Sequence, residues 1–277
     1  MTVAFVLSGG ASLGASQAGM VHALYERGIR PDLLVGTSVG AVNAAFLASR
    51  PPTESTARDL EALWRGLSRG QVFPTNPLTM GLGLLGMRDH SVPPGPLRRL
   101  IDRHVEFERL EDAATPLHVV ATDALSGDEV RLSAGPAVDA VLASAAIPGV
   151  FPHVPWESRL LMDGAIVNNT PISHAIELGA DRVIILQALS RDQLDRAPRG
   201  VLGAGLVAIA RTIGRRFAED VSRYATAVDL LVLSHAAPAE ILPTDFSRAD
   251  ELISAGHIAA RTALSRGPRR IPMVRAA

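Results

Sequence analysis

The sequence predicts an α/β fold in three layers, with helices on both faces of a mostly parallel central sheet. Short apolar, β-rich runs alternate with helix-length segments almost throughout, the pattern of a sheet covered on both sides. Two of the earliest runs close on glycine-rich turns that lead directly into helices, the connection used in βα units. Finally, 277 residues of which 47% are hydrophobic can bury one substantial core. No repeat, low-complexity tract or linker interrupts the chain, so 1–277 is read as a single domain, with its motifs in 3–190 and its less defined helices in 200–267.

Val3–Leu7 is the first strand. Gly14–Arg27 reads as a helix with Ala18, Val21, Ala23 and Leu24 on its buried stripe and Gly28 as its stop. "LLVG" (33–36) is a second buried strand, and "SVGAVNAAFLAS" (38–49) a helix whose small residues suit close packing on a sheet. Glu54–Leu67 is a third helix. Residues 70–96 are rich in Gly and Pro around the apolar tip 82–87, the composition of a functional loop. "LHVVATDA" (117–124) and "DEVRLS" (128–133) are strands around a turn, Ala137–Ser144 is a short helix, and "RLLMDGA" brings another strand to a turn. A helix over Pro171–Leu178, an apolar strand over 181–189, a long helix over Gly200–Tyr224, a strand at 229–233 and a helix over Arg248–Arg266 complete the chain.

Composition removes several classes of function. A net charge of −1 gives no global attraction to nucleic acid. The absence of cysteine excludes disulfides, iron–sulfur clusters and a thiol nucleophile, and suits a reducing compartment. Eight scattered histidines form no metal-ligand spacing, so neither a metal nor a cofactor is expected. With no secretory leader and no apolar run of membrane-spanning length, the expected location is the cytoplasm, peripheral to the membrane at most.

The turn "GGASLG" (9–14) admits two readings, a phosphate cradle or a site for a developing negative charge. A dinucleotide fingerprint would carry glycine where Ala11 stands and an acid at the end of the next strand. Instead Asp32 precedes that strand. A phosphate-binding Walker loop would need a Lys-Ser/Thr pair, which is absent.

What closes the second strand is "GTSVG", Gly36 to Gly40. G-x-S-x-G between a strand and a helix is the context of a nucleophile elbow, with Ser38 raised at the helix N-terminus. The plain alternative is a tight turn with Ser38 as an N-cap. Both glycine turns sit at carboxyl ends of strands, where open α/β sheets place ligands. The amides of Gly9, Gly10 and Ala11 would then face the oxygen of an ester attacked by Ser38, and such donors contribute roughly 3–4 kcal/mol each to the transition state.

A serine hydroxyl needs a base. His235 and His257 are candidates, as in an α/β-hydrolase, although that fold places more strands before its elbow. Asp163, ending an apolar strand before Gly164, is the other candidate. An Asp-Gly pair is by default a turn signal, and a carboxylate with the ordinary pKa of about 3.9 is a weak base that must touch the hydroxyl directly.

Together these residues resemble the patatin-like phospholipase family. "GGASLGASQAG" (9–19) is similar to its oxyanion turn, "GTSVGAVNA" (36–44) to its elbow, "ASAAIPGVFPHV" (143–154) to its proline-containing active-site segment and "LMDGAIVNNTPI" (161–172) to its D-G-A/G block. The resemblance implies a patatin-like three-layer fold and a Ser–Asp dyad without histidine. Ser38 would be the nucleophile, Asp163 the base, and Gly9, Gly10 and Ala11 the oxyanion donors. Hydrolysis of lipid acyl esters is the implied activity. Two departures stand out: Ala11 replaces the family's third glycine, and Leu13 replaces a common basic residue.

The apolar tip 82–87 and the stripe Leu202, Leu206, Ile209, Ile213, Phe217 are candidates for a lid or a lipid-contact surface. Arg211, Arg215 and Arg216 supply the cations that an interfacial helix uses. The expected partner is a lipid or acyl-ester substrate, with transient membrane contact and no nucleic acid. The alternative function is a catalytically weak or inactive lipid-binding protein on the same scaffold. Oligomeric state is not specified by the sequence.

Overall fold

Strands and helices alternate as expected in a computed structural model, which describes residues 1–74, 87, 90–189, 200–235 and 241–266, leaving aside the side chains of 200–207. Strand β1 (Val3–Leu7) enters a 3-10 turn (Ala11–Gly14) and helix α1 (Ala15–Tyr25). β2 (Leu33–Thr37) is followed by α2 (Val39–Ala48), α3 (Glu54–Gly66), the single turn α4 (Arg69–Val72) and α5 (Gly95–His104). After a 3-10 turn at Leu110–Asp112 come β3 (Leu117–Asp123), β4 (Glu129–Leu132) and α6 (Ala137–Ser144). β5 (Val154–Trp156) and β6 (Arg159–Asp163) precede the short helices α7 (Ala165–Asn168) and α8 (Ile172–Glu177). β7 (Arg182–Gln187), α9 (Gly200–Tyr224), β8 (Asp229–Ser234) and α10 (Ala249–Ser265) end the described chain. Within the loop 70–96, residues 82–86 of the apolar tip lie outside the described residues.

The hydrogen-bonded path through the sheet is β5-β6-β3-β2-β1-β7-β8, with β4 also on β3. β3, β2, β1, β7 and β8 are mutually parallel. β4, β5 and β6 run antiparallel to their neighbours. The sequence expectation of a mostly parallel sheet holds for these five strands, but strand direction is not encoded in an apolar run. β5 was not expected from its Pro-containing sequence; it forms a three-residue pair with β6.

Register places β6 in an unusual position. β2 pairs with β3 up to Thr37 opposite Val120, whereas β4 pairs with β3 across Val119–Thr122. β6 pairs with β3 at Ala121–Asp123. One strand flank cannot hold two partners at the same residues, so β4 takes one flank and β6 shares the other with β2. β6 therefore takes over where β2 stops, running in the opposite direction.

The period-2 alternation of β1 sends Phe5 and Leu7 into one core and Ala4 and Val6 into another. The first core lies under α1, α2, α3, α6 and α10; the second lies under α8 and the C-terminal part of α9, where Ile172, Ala175, Phe217 and Val221 pack. α1 is buried around nearly its whole circumference rather than along one stripe, because α3 and α10 cover its outer side.

Candidate active site

The site starts with a backbone conformation. Ser38 has φ 54 and ψ −125, a region that a residue bearing a Cβ seldom occupies. The bend lifts the Ser38 side chain at the N-terminus of α2, where the helix dipole favours negative charge. The flanking glycines make the bend fit. A side chain on Gly36 would lie 2.6 Å from the Gly40 carbonyl, and one on Gly40 would run into the Leu7 carbonyl. Ser38 is buried, with 7% of its surface exposed. Its hydroxyl donates to Asp163 Oδ2 at 2.7 Å.

Asp163 arrives from the opposite direction at the end of β6. Its second oxygen, Oδ1, accepts the Ala165 amide at 2.8 Å, and Thr122 Oγ1 donates to its carbonyl at 2.9 Å. The Asp-Gly pair opens α7 and makes no hairpin. Burial pushes the Asp163 carboxyl up to about 6, against the lowering effect of the Ala165 amide and the Ser38 hydroxyl. That moves it from a poor base toward the range useful at neutral pH.

The two histidine candidates are elsewhere. His235 is buried and donates through Nε2 to the Ala188 carbonyl at 3.0 Å; burial pushes its pKa down. His257 on α10 pairs with Glu26 at 3.2 Å, and its ring lies tilted beside that of His22. Neither is hydrogen-bonded to Ser38.

The turn after β1 comes beside Ser38: a side chain on Gly9 would lie 3.2 Å from Ser38 Cβ. The three expected donors divide. The Gly9 amide is engaged with the Asn169 carbonyl at 3.1 Å, so Gly9 supplies close approach and a fixed turn, not a free N–H. The amides of Gly10 and Ala11 have no protein acceptor among the described residues. Ala11 has φ 49, the left-handed conformation that glycine adopts without strain. Leu13 is buried in the core, so a basic residue there would need a different side-chain path to reach the site.

Behind the turn is a polar network that the sequence reading did not identify. Gln17 Nε2 donates to the Ser8 and Leu186 carbonyls at 2.8 and 3.0 Å. Asn43 Nδ2 donates to the Gly14 carbonyl and to Gln17 Oε1, and Trp64 Nε1 donates to Asn43 Oδ1. The network is buried, so each of these bonds is costly to break, and it locks α1 and α2 onto the glycine turn. A Gln in one helix and an Asn in the next carry no local signal of this pairing.

Ser38 and Ala11 border an apolar cleft walled by Val42, Phe46, Trp64, Leu97, Ile101 and Phe151.

A strained serine between strand and helix, touching a buried carboxylate beside an apolar cleft, defines an α/β protein with the layout of a serine-nucleophile enzyme. The chain belongs to the patatin-like phospholipase family, whose signature it matches over residues 5–176. It is 31% identical over 203 residues to the mouse patatin-like phospholipase domain-containing protein 6, an alignment covering 72% of this chain and 14% of that protein. It is 28% identical over 221 residues to lysophospholipase nte1 of Aspergillus terreus (strain NIH 2624 / FGSC A1156), covering 77% of this chain and 13% of the relative. The chain thus spans about one seventh of these relatives' length. VipD from Legionella pneumophila shares the fold at a TM-score of 0.50 and 15% identity, over 96% of this chain and 67% of that one.

Proposed function

We propose that the protein is a serine acyl-ester hydrolase acting on lipid esters, of phospholipase, lysophospholipase or lipase type. The observation that carries this reading is the 2.7 Å hydrogen bond from Ser38 Oγ to Asp163 Oδ2 at a strained elbow bordering an apolar cleft. Membership of the patatin-like phospholipase family, with relatives named lysophospholipases, supports it.

In the proposed cycle Ser38 Oγ attacks the ester carbonyl carbon as its proton passes to Asp163 Oδ2. The carbonyl electrons move onto oxygen, which accepts the N–H groups of Gly10 and Ala11. Collapse re-forms the carbonyl, breaks the bond to the leaving alcohol and returns the proton from Asp163 to that alcohol. Water then repeats the sequence on the acyl-serine, releasing the fatty acid and restoring Ser38. With a carboxylate rather than an imidazole as base, much of the acceleration rests on the preorganised oxyanion donors.

The substrate reaches Ser38 from a lipid surface in transient contact with the rim of the sheet. Among the described residues, no helix is long and apolar enough to cross a membrane. Complete lack of cysteine supports a cytoplasmic setting.

The test is hydrolysis of p-nitrophenyl acyl esters and a phospholipid panel by the wild type, Ser38→Ala and Asp163→Asn, with Ser38 labelling by a fluorophosphonate. Turnover by the wild type and at least about 10³-fold loss in each variant are expected. Full activity of Asp163→Asn would remove the dyad, and lipid binding without turnover or labelling would favour a non-catalytic lipid-binding protein.

A further inference from the structure

The catalytic pair is formed by two chain ends that approach each other along one flank of β3, and something must hold that junction. The groups there are backbone. Val120 is the last partner of β2, through Thr37, and Ala121 is the partner of Asp163 on β6. The Ser38 amide points into the junction, where the ladder between β2 and β3 has just ended.

Ser144, the last residue of α6, is inserted at this point. Its hydroxyl accepts the Ser38 N–H at 2.8 Å and donates its own proton to the Val120 carbonyl at 2.5 Å. The single hydroxyl proton and one lone pair are thereby assigned: N–H of Ser38 to Oγ, and O–H to the carbonyl. The side chain is fully buried, so water cannot replace either bond.

The same segment also holds the acid. The Gly164 amide donates to the Ser144 carbonyl at 3.3 Å, and the Asp163 amide to the Ala146 carbonyl at 2.9 Å. The Ser144 carbonyl, one of the last carbonyls of α6 that a helix leaves without partners, is thus capped by the amide of Gly164, next to Asp163. One residue is bonded to both halves of the pair, through its side chain to Ser38 and through its main chain to the residue after Asp163.

We propose that Ser144 is a positioning residue for the reaction: its hydroxyl fixes the strained Ser38 backbone in the rotational setting that puts Oγ on Asp163 Oδ2. The inference rests on the Ser–Asp reading of the site. Ser38 at φ 54 is not a conformation that the local sequence favours; it persists because surrounding bonds over-determine it. Gly36 and Gly40 give room for the bend, but Ser144 alone among the described residues bonds the Ser38 amide.

The test compares Ser144→Ala, Ser144→Cys and Ser144→Thr with wild type on a water-soluble p-nitrophenyl ester, below the unfolding temperature of each variant and normalised to folded protein. Ser144→Ala is expected to lower kcat and the fluorophosphonate labelling rate of Ser38 by about 10²-fold, the scale of a roughly 1 Å misplacement. KM should stay within about twofold, since the cleft is untouched. Ser144→Thr, which keeps the hydroxyl, is expected to recover most of kcat. Cys keeps the shape with a weak donor, so it is expected to fall near Ala in rate if folded, and it decides the question if Ala does not fold. Wild-type kcat per folded molecule in Ala or Cys would overturn the proposal even if stability falls. Retained activity in Ser38→Ala would instead overturn the dyad itself.

Discussion

Ser38 and Asp163 face each other end-on: β2 runs toward the junction and stops opposite Val120, while β6 runs in from the other side and stops opposite Ala121. Successive residues of one strand, Val120 and Ala121, therefore set the spacing of the pair. A shift of either strand by one residue would turn Ser38 or Asp163 to the other face of the sheet. The pair is thus as precise as the sheet register. This explains why its surroundings are rich in short hydroxyl groups bonded to backbone: Thr122 holds the Asp163 carbonyl, Thr37 the Asn168 carbonyl and Ser144 the Ser38 amide.

Placing Asp163 in this junction costs stability. Its carboxyl titrates near 6 in the fold against an ordinary 3.8, so the folded state binds the proton more tightly than the unfolded chain does. The stabilising linkage is fully present below about pH 3.8 and is lost as pH rises through about 6. Above that, the buried charge is a net cost of up to about 3 kcal/mol. Asp163→Asn should raise Tm by several degrees at pH 8 and by little at pH 4, as measured by calorimetry. An equal shift at both values would mean that burial of the charge is not the cause.

The same titration predicts the acid limb of the activity. Only ionised Asp163 can take the Ser38 proton, so kcat/KM for a soluble ester should fall about tenfold per pH unit below about 6 and flatten above it. A limb near 4, or one near 7 that disappears in His235→Gln, would contradict this assignment.

Legibility in the sequence followed chain locality. The elbow was readable because strand, G-x-S-x-G and helix are contiguous between residues 33 and 48. Ala11, which the sequence shows in place of the family's third glycine, does take a positive φ, because the tight turn fixes it locally. Asp163 was readable as a residue, but the antiparallel direction of β6 was not, since an apolar run says nothing of its sense. Ser144 and Gln17 each reach a partner more than 100 residues away, and Asn43 bonds Gln17 from 26 residues away; Ser144 stands in the segment 143–154 that resembles the family's active-site segment, but a serine there carries no mark of a bond to the Ser38 amide. The engagement of the Gly9 amide with Asn169 is likewise a tertiary fact.

Gly40 tests how tightly the elbow is built. α2 starts against β1, and a methyl group on Gly40 would enter the space of the Leu7 and Ser8 carbonyls. Both are backbone atoms within the region of the oxyanion turn and cannot rotate away. Gly40→Ala should therefore cost on the order of 1–3 kcal/mol in urea unfolding and reduce kcat. Gly70→Ala meets no atom of the described residues within 4 Å and serves as the control expected to match wild type in kcat.

α9 bears on how lipid reaches the site. Its 25 residues span about 37 Å, whereas a six-residue strand spans about 20 Å. The helix runs down from the carboxyl rim and feeds β8 at the other edge, and its packed residues Phe217, Val221 and Tyr224 belong to the C-terminal end. Ala208, Ile209, Thr212 and Ile213 of this helix line a groove with residues 165–170, which follow Asp163. Ile209 there is 45% exposed, and Ile166 on α7, three residues after Asp163, is 43% exposed. Arg216 ties the two helices together through the Val167 carbonyl and Glu129, while Arg211 makes no ion pair among the described residues. Such a pairing of apolar and cationic groups suits an anionic lipid surface. Ile166→Asp/Ile209→Asp should reduce co-sedimentation with phosphatidylglycerol-containing vesicles several-fold and slow hydrolysis of vesicle lipid, leaving a water-soluble ester hydrolysed at the wild-type rate. Unchanged vesicle binding would exclude this rim as the contact. Equal loss on the soluble ester would show instead that the substitutions disturb the dyad through α7.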